Sequence, residues 1–255
     1  MKLNYKELGE GKPLVIVHGL FGSLDNWITH GKRFAELGYH VFLVDQRNHG
    51  RSPHSEEFTY EAMSSDLLEF INDHIKKPVS IIGHSMGGKT AMHFAKDHPD
   101  YIEKLIVVDI GPKYYPPHHE SVISAFNAVD PATLSSRSEG DKIMLEYIKE
   151  PGVRMFLLKN LIRAESNNFS WKMNLPVITK NIEEVGKEQS ALGEIPVRTL
   201  FIHGGNSDYI LRSDKPIIRE QFTNCTFVEI SGAGHWVHAE QSESFFLTAK
   251  TFLDE

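Results

Sequence analysis

The stretch Ile81-Ile82-Gly83-His84-Ser85-Met86-Gly87-Gly88-Lys89-Thr90 places a serine between glycines at −2 and +2. The apolar run Val79–Ile82 predicts a buried strand, and residues 86–96 predict a helix that ends before Pro99. A sharp strand-to-helix turn strains the backbone of its central residue. Side chains at −2 and +2 would collide there, so glycines at 83 and 87 relieve the crowding. The Ser85 hydroxyl then stands clear of the sheet at a helix N-terminus, which favours developing negative charge. The N–H of Met86 is one expected oxyanion donor. The other comes from the loop after His18-Gly19, with Leu20 as the simplest choice and Phe21 as the alternative. Composition alone produces Gly-x-Ser-x-Gly in roughly one chain in ten of this length, so the surroundings must carry the argument.

Those surroundings alternate strands with helices. Lys2–Leu8 reads as an edge strand; Pro13–Val17, Tyr39–Val44, Ile102–Ile110, Val197–Ile202 and Thr226–Ile230 read as further strands. Helical spacing marks 24–37, 60–75 with Thr59 as N-cap, 213–222 and 241–253. This pattern predicts an α/β fold, a mostly parallel sheet with helices on both faces. Ligands bind such sheets at the carboxyl ends of the strands, so chemistry is expected there.

Each strand end is rich in glycine or polar residues. Gly232-Ala233-Gly234-His235-Trp236 follows the last strand, and His235 is the candidate base. Nucleophile, acid and histidine in that chain order match the hydrolase-elbow arrangement. The acid has two candidates: Asp208, in Gly205-Asn206-Ser207-Asp208, and Asp109, which closes Ile106-Val107-Val108-Asp109. Either could accept from the imidazole Nδ1–H and fix the tautomer. Of the neighbouring histidines, His18 and His203 are expected to brace loops, and His84, the x of the elbow, to pack sideways. No His-Glu-x-x-His occurs and Cys225 is the single cysteine, so no metal and no cofactor are expected.

The chain's 255 residues and net charge of −7, without a long basic run, argue against nucleic acid or an anionic membrane as partner. One cysteine permits no intrachain disulfide, no apolar stretch reaches spanning length, and no signal-peptide core precedes the first strand. The expected location is cytoplasmic. Oligomeric state is not readable from these features.

Together, His18–Trp27, Asp45–Ser52, Gly83–Met92, Val107–Pro112, Gly204–Ile210 and Gly232–Glu240 resemble the α/β-hydrolase superfamily over essentially the whole chain. They resemble most its compact bacterial esterases and their mitochondrial abhydrolase relatives, which act on acyl esters and thioesters. The resemblance implies the α/β-hydrolase fold with a helical cap inserted after the sixth strand. It also implies Ser85 and His235 as catalytic, and an oxyanion hole from Leu20 or Phe21 with Met86. On the acid it is divided. Relatives that keep the aspartate of Val-Asp-Ile favour Asp109, and the wider Gly-x-x-Asp pattern favours Asp208. Serine at the elbow excludes the dehalogenase branch, which uses aspartate there.

Residues 112–190 break the alternation with six prolines and their own aromatics. They are expected to form the cap, with 1–111 and 191–255 as the hydrolase core. Trp236, Tyr114 and Phe156 are expected to line the substrate pocket. The function expected is a carboxylesterase-type serine hydrolase acting on a small acyl ester or thioester. Two alternatives stand beside it. One is a C–C hydrolase or lyase of the menaquinone-pathway type, which needs several arginines where the cap offers only Arg137, Arg154 and Arg163. The other is a non-enzymatic ligand receptor on the same scaffold.

Overall fold

The computed structural model describes residues 1–163, 168–189 and 193–255. Before the insertion, the chain runs β1 (Tyr5–Leu8), β2 (Lys12–Val17), α1 (Ile28–Glu36), β3 (Tyr39–Val44), α2 (Tyr60–His74), β4 (Val79–His84), α3 (Met86–Asp97) and β5 (Ile102–Val108). The inserted part holds α4 (Glu120–Ala128), α5 (Arg137–Met144), α6 (Pro151–Leu158), β6 (Leu161–Arg163), β7 (Phe169–Trp171), α7 (Leu175–Lys180) and α8 (Ile182–Gly186). The chain then returns through β8 (Thr199–Gly204), α9 (Lys215–Gln221), β9 (Cys225–Ile230), α10 (Val237–Glu240) and α11 (Ser242–Asp254).

Seven strands form one sheet in the order β1-β3-β2-β4-β5-β8-β9. Only β1 pairs antiparallel, with β3; the other pairs are parallel. The side-chain period of two explains why the inner strands are apolar throughout. Val15 and Val17 of β2 face a cluster with Leu67, Phe70 and Phe94 of α2 and α3. Leu14 and Ile16 face the opposite cluster, with Phe34 of α1 and Phe245 and Phe252 of α11. Thr59 caps α2 as its sequence position suggests, accepting from the Ala62 N–H at 3.2 Å.

Three details differ from expectation. Five strands precede the insertion, as the alternation of the sequence reads, rather than the six that the resemblance implies. The insertion is not wholly helical: β6 and β7 pair antiparallel, Leu161 opposite Trp171. Three-residue strands are too short to leave a periodic signal. And β8 runs to Gly204, two residues further than expected, because its pairing with β9 continues through His203 and Gly204.

The inserted elements share a third apolar cluster with the core. Phe126, Leu157, Leu161, Phe169 and Ile178 pack with Phe21, Phe58, Tyr60, Met63 and Met86. The insertion therefore sits over the carboxyl ends of β2 and β4. No helix among the described residues is long and apolar enough to cross a membrane.

Candidate active site

Ser85 lies between β4 and α3 with φ 52° and ψ −119°, a conformation that L-residues rarely adopt. The flanking glycines are required by contact. A Cβ on Gly83 would lie 2.4 Å from the carbonyl oxygen of Gly87, and one on Gly87 would lie 2.4 Å from that of Val17. The turn fits only because both positions lack side chains.

His235 follows β9, and its Nε2 lies 3.0 Å from Ser85 Oγ. Its Nδ1 lies 2.8 Å from Asp109 Oδ2. The Asp109 side chain is fully buried, and an ionised carboxylate can only accept, so Nδ1 carries the proton and the Nε2 lone pair faces the serine hydroxyl. Asp109 itself has φ 52°, which ends β5 at Val108 and turns the carboxylate toward His235. The Gly204 N–H donates to its Oδ1 at 3.0 Å and the Ser207 hydroxyl to its Oδ2 at 2.5 Å. Asp208 is exposed, and no hydrogen bond joins it to His235 among the described residues. Its neighbour Ser207 turns inward instead, to Asp109.

Several residues fix the imidazole. Tyr209 stacks on it, with centroids 3.9 Å apart. The buried His84 hydrogen-bonds the His235 carbonyl oxygen through Nε2 at 2.9 Å. Burial pushes His84 down to about 3, so it is neutral and donates there. Glu240 accepts from the N–H groups of Gly234 and Trp236, on either side of His235.

The loop after β2 lies against the elbow; a Cβ on Gly19 would sit 3.2 Å from Ser85 Cβ. The two oxyanion candidates on this loop differ. The Phe21 N–H donates to His49 Nε2 at 3.2 Å and is therefore occupied. The N–H groups of Leu20 and Met86 have no acceptor among the described residues. Both residues line the cavity beside Ser85.

That cavity has a volume of about 270 Å³. Phe156 and Trp236 line it with ring centroids 5.8 Å apart, joined by Ile110, Val153 and Val185. Tyr114 does not line it, contrary to expectation. It is 49% exposed, and its hydroxyl donates to Glu183. The next residue, Tyr115, takes the place, its hydroxyl donating to the Tyr209 carbonyl at 2.6 Å. No arginine or lysine is among the described residues lining the cavity. Arg47 is turned away into a two-pronged ion pair with Asp66, at 2.7 and 2.9 Å.

Sequence reasoning passed over Tyr209, Ser207, His119 and Asn160. His119 lines the cavity, its pKa lowered by burial to about 4, and its Nδ1 is buried without a partner. Only the stacked pair His118-His119 in the insertion hinted at a polar patch there.

This fold, with a strained serine at the elbow and a histidine after the last strand, defines a class, and the comparisons agree. Residues 12–138 match a family model described as alpha/beta hydrolase fold. "Esterase YbfF" of Escherichia coli is 35% identical over 262 residues, with all of both chains covered. "sn-1-specific diacylglycerol lipase ABHD11" of Mus musculus is 38% identical over 247 residues, covering 94% of this chain and 80% of that one. A solved "Marine microorganism esterase" superposes with a TM-score of 0.96 at 43% identity, covering 99% of each chain. The chain belongs to the α/β-hydrolase family.

Proposed function

We propose that this chain is a carboxylesterase-type serine hydrolase that cleaves small acyl esters, and acyl thioesters by the same route, with Ser85, His235 and Asp109 as its triad. The observation that carries the reading is the Ser85–His235–Asp109 relay, at 3.0 and 2.8 Å, opening into a mostly apolar cavity. Relatives named esterase and lipase over nearly the whole chain support ester hydrolysis.

His235 Nε2 takes the Ser85 proton as Oγ attacks the acyl carbonyl. Asp109 stabilises the imidazolium and holds its tautomer. The developing oxyanion is met by the Leu20 and Met86 N–H groups, which need no reorganisation to reach it. His235 returns the proton to the leaving alcohol or thiol. Water, deprotonated by His235, then attacks the acyl-enzyme and frees the acid. Residues 112–190 act as the cap, and Phe156 and Trp236 as walls of the acyl pocket. An apolar lining without a cation suits an uncharged acyl chain better than a polycarboxylate.

The test is hydrolysis of p-nitrophenyl esters from acetyl to dodecanoyl by wild type and Ser85→Ala side by side. Turnover in wild type that vanishes in the variant is expected. A folded wild type that cleaves none of the esters sinks the reading.

A further inference from the structure

The cap grips the loop that carries the Leu20 N–H. Asn160, between α6 and β6, is 1% exposed. Its Nδ2 donates to the Phe21 carbonyl at 2.7 Å and to that of Leu157 at 3.2 Å. Both neighbours are acceptors, which fixes the orientation of the amide. Phe21 has φ 57°, strained for a residue with a side chain. Its N–H goes to His49 on the core side and its carbonyl to Asn160 on the cap side. Phe21, the residue next to Leu20, is thus held through both of its backbone polar groups.

A second tie lies two and four residues further along the same loop. Lys172, just after β7, donates through Nζ to Ser23 Oγ at 3.1 Å and Asp25 Oδ2 at 2.8 Å. The Lys172 N–H also donates to the Asn160 carbonyl at 2.9 Å, so the two ties share one edge of the cap. On that edge Asn174 bonds Asn48 by backbone, at 2.9 Å, and by side chain, at 3.1 Å. Asn48 adjoins His49, the acceptor of the Phe21 N–H.

We infer that the cap is a fixed part of the oxyanion machinery, with Asn160 and Lys172 as positioning residues that hold the 19–25 loop so that the Leu20 N–H stays beside Ser85. This rests on the ester-hydrolase reading. It assigns Asn160 and Lys172 on this cap edge a role in kcat, separate from any role of the cap in admitting substrate. A strained loop released from its ties relaxes, and a donor displaced by a fraction of an ångström meets the oxyanion poorly.

The experiment compares wild type, Asn160→Ala and Lys172→Met on p-nitrophenyl butyrate. It also measures inhibition by butylboronic acid, whose serine adduct imitates the tetrahedral intermediate. Removing an oxyanion donor outright costs about 10²–10³-fold in kcat, so a displaced donor should cost on the order of tenfold to a hundredfold for Asn160→Ala. A smaller loss of the same kind is expected for Lys172→Met. KM should stay within about twofold, and boronate affinity should fall in step with kcat. A loss confined to KM, an unchanged boronate affinity, or a lower melting temperature with kcat intact overturns the inference. Should Asn160→Ala fail to fold, Lys172→Met decides by the same criteria. Wild type without ester turnover overturns both readings; active wild type with both variants unchanged overturns this one alone.

Discussion

The ring of Tyr209 lies on the imidazole of His235, centroids 3.9 Å apart and planes 18° apart. The stack covers one face of the candidate base, while Asp109 fixes its Nδ1. Burial pushes the Tyr209 phenol up to about 12, so the ring stays neutral. Its hydroxyl is hydrogen-bonded to His118 Nε2 at 2.8 Å. Stacked aromatic pairs are worth about 0.5–1.5 kcal/mol beyond their buried area. Tyr209→Ala should therefore lower kcat/KM by on the order of tenfold, and Tyr209→Phe should retain most of it. Equal losses in the two variants would assign the effect to the hydroxyl instead.

The two aspartates give a clean contrast. Asp109→Asn keeps the shape but supports the wrong tautomer, and a loss of about 10⁴-fold in kcat is expected. Asp208→Asn, at an exposed position, should leave kcat within about twofold. Steady-state kinetics on one ester settles the pair, and the reverse ordering would reassign the acid.

Stability should fall in mild acid. Burial lowers His18 to about 4 and His49 and His84 to about 3, whereas unfolded imidazoles titrate near 6.5. Between these values the unfolded chain binds more protons than the folded one. The stabilisation is complete above about pH 7, declines as pH drops through 6.5, and keeps declining to about pH 3. Each histidine contributes a slope of up to about 1.4 kcal/mol per pH unit. Urea unfolding at pH 8, 7, 6 and 5 measures this. Constant stability from pH 7 to pH 5 contradicts it.

Lys89 ties α3 to both ends of the inserted segment. It is fully buried, and its Nζ donates to the carbonyls of Lys113, Gly186 and Lys187 at 3.1, 3.0 and 2.5 Å. Tyr115 lies beside it, its ring centroid 4.9 Å from Nζ. Lys89→Met fills the space but removes the Nζ donor from three carbonyls, of which that of Gly186 keeps the Tyr115 N–H. A loss of about 1–3 kcal/mol of stability is expected. Faster amide exchange at Tyr115, whose N–H bonds the Gly186 carbonyl, should accompany it. Unchanged exchange there would show that Lys89 does not hold the cap.

Local features of the sequence were the most legible. The collision that requires Gly83 and Gly87 lies within a few residues of Ser85, so the elbow could be read from the motif together with the strand before it and the helix after it. The buried strands could be read because both faces of β2 and β3 are apolar. The choice between Asp109 and Asp208 was not legible, because it depends on where β8 stops and which way the turn at Gly204–Ser207 points. Tyr114 and Tyr115 were indistinguishable by composition; only the fold turns one outward and the other into the cavity. Asn160 was invisible for a different reason. Its partner Phe21 is 139 residues away, and an asparagine beside a short strand carries no pattern of its own.

That Ser85 is the nucleophile of an ester hydrolase can be checked by titration with an alkyl fluorophosphonate, read by peptide mass spectrometry and residual esterase activity together. One phosphonyl group per chain, located on Ser85 and lost in Ser85→Ala, with activity falling in proportion to labelling, is the predicted result. Esterase activity that persists while Ser85 is fully labelled, or that disappears with the label on another residue, would contradict it.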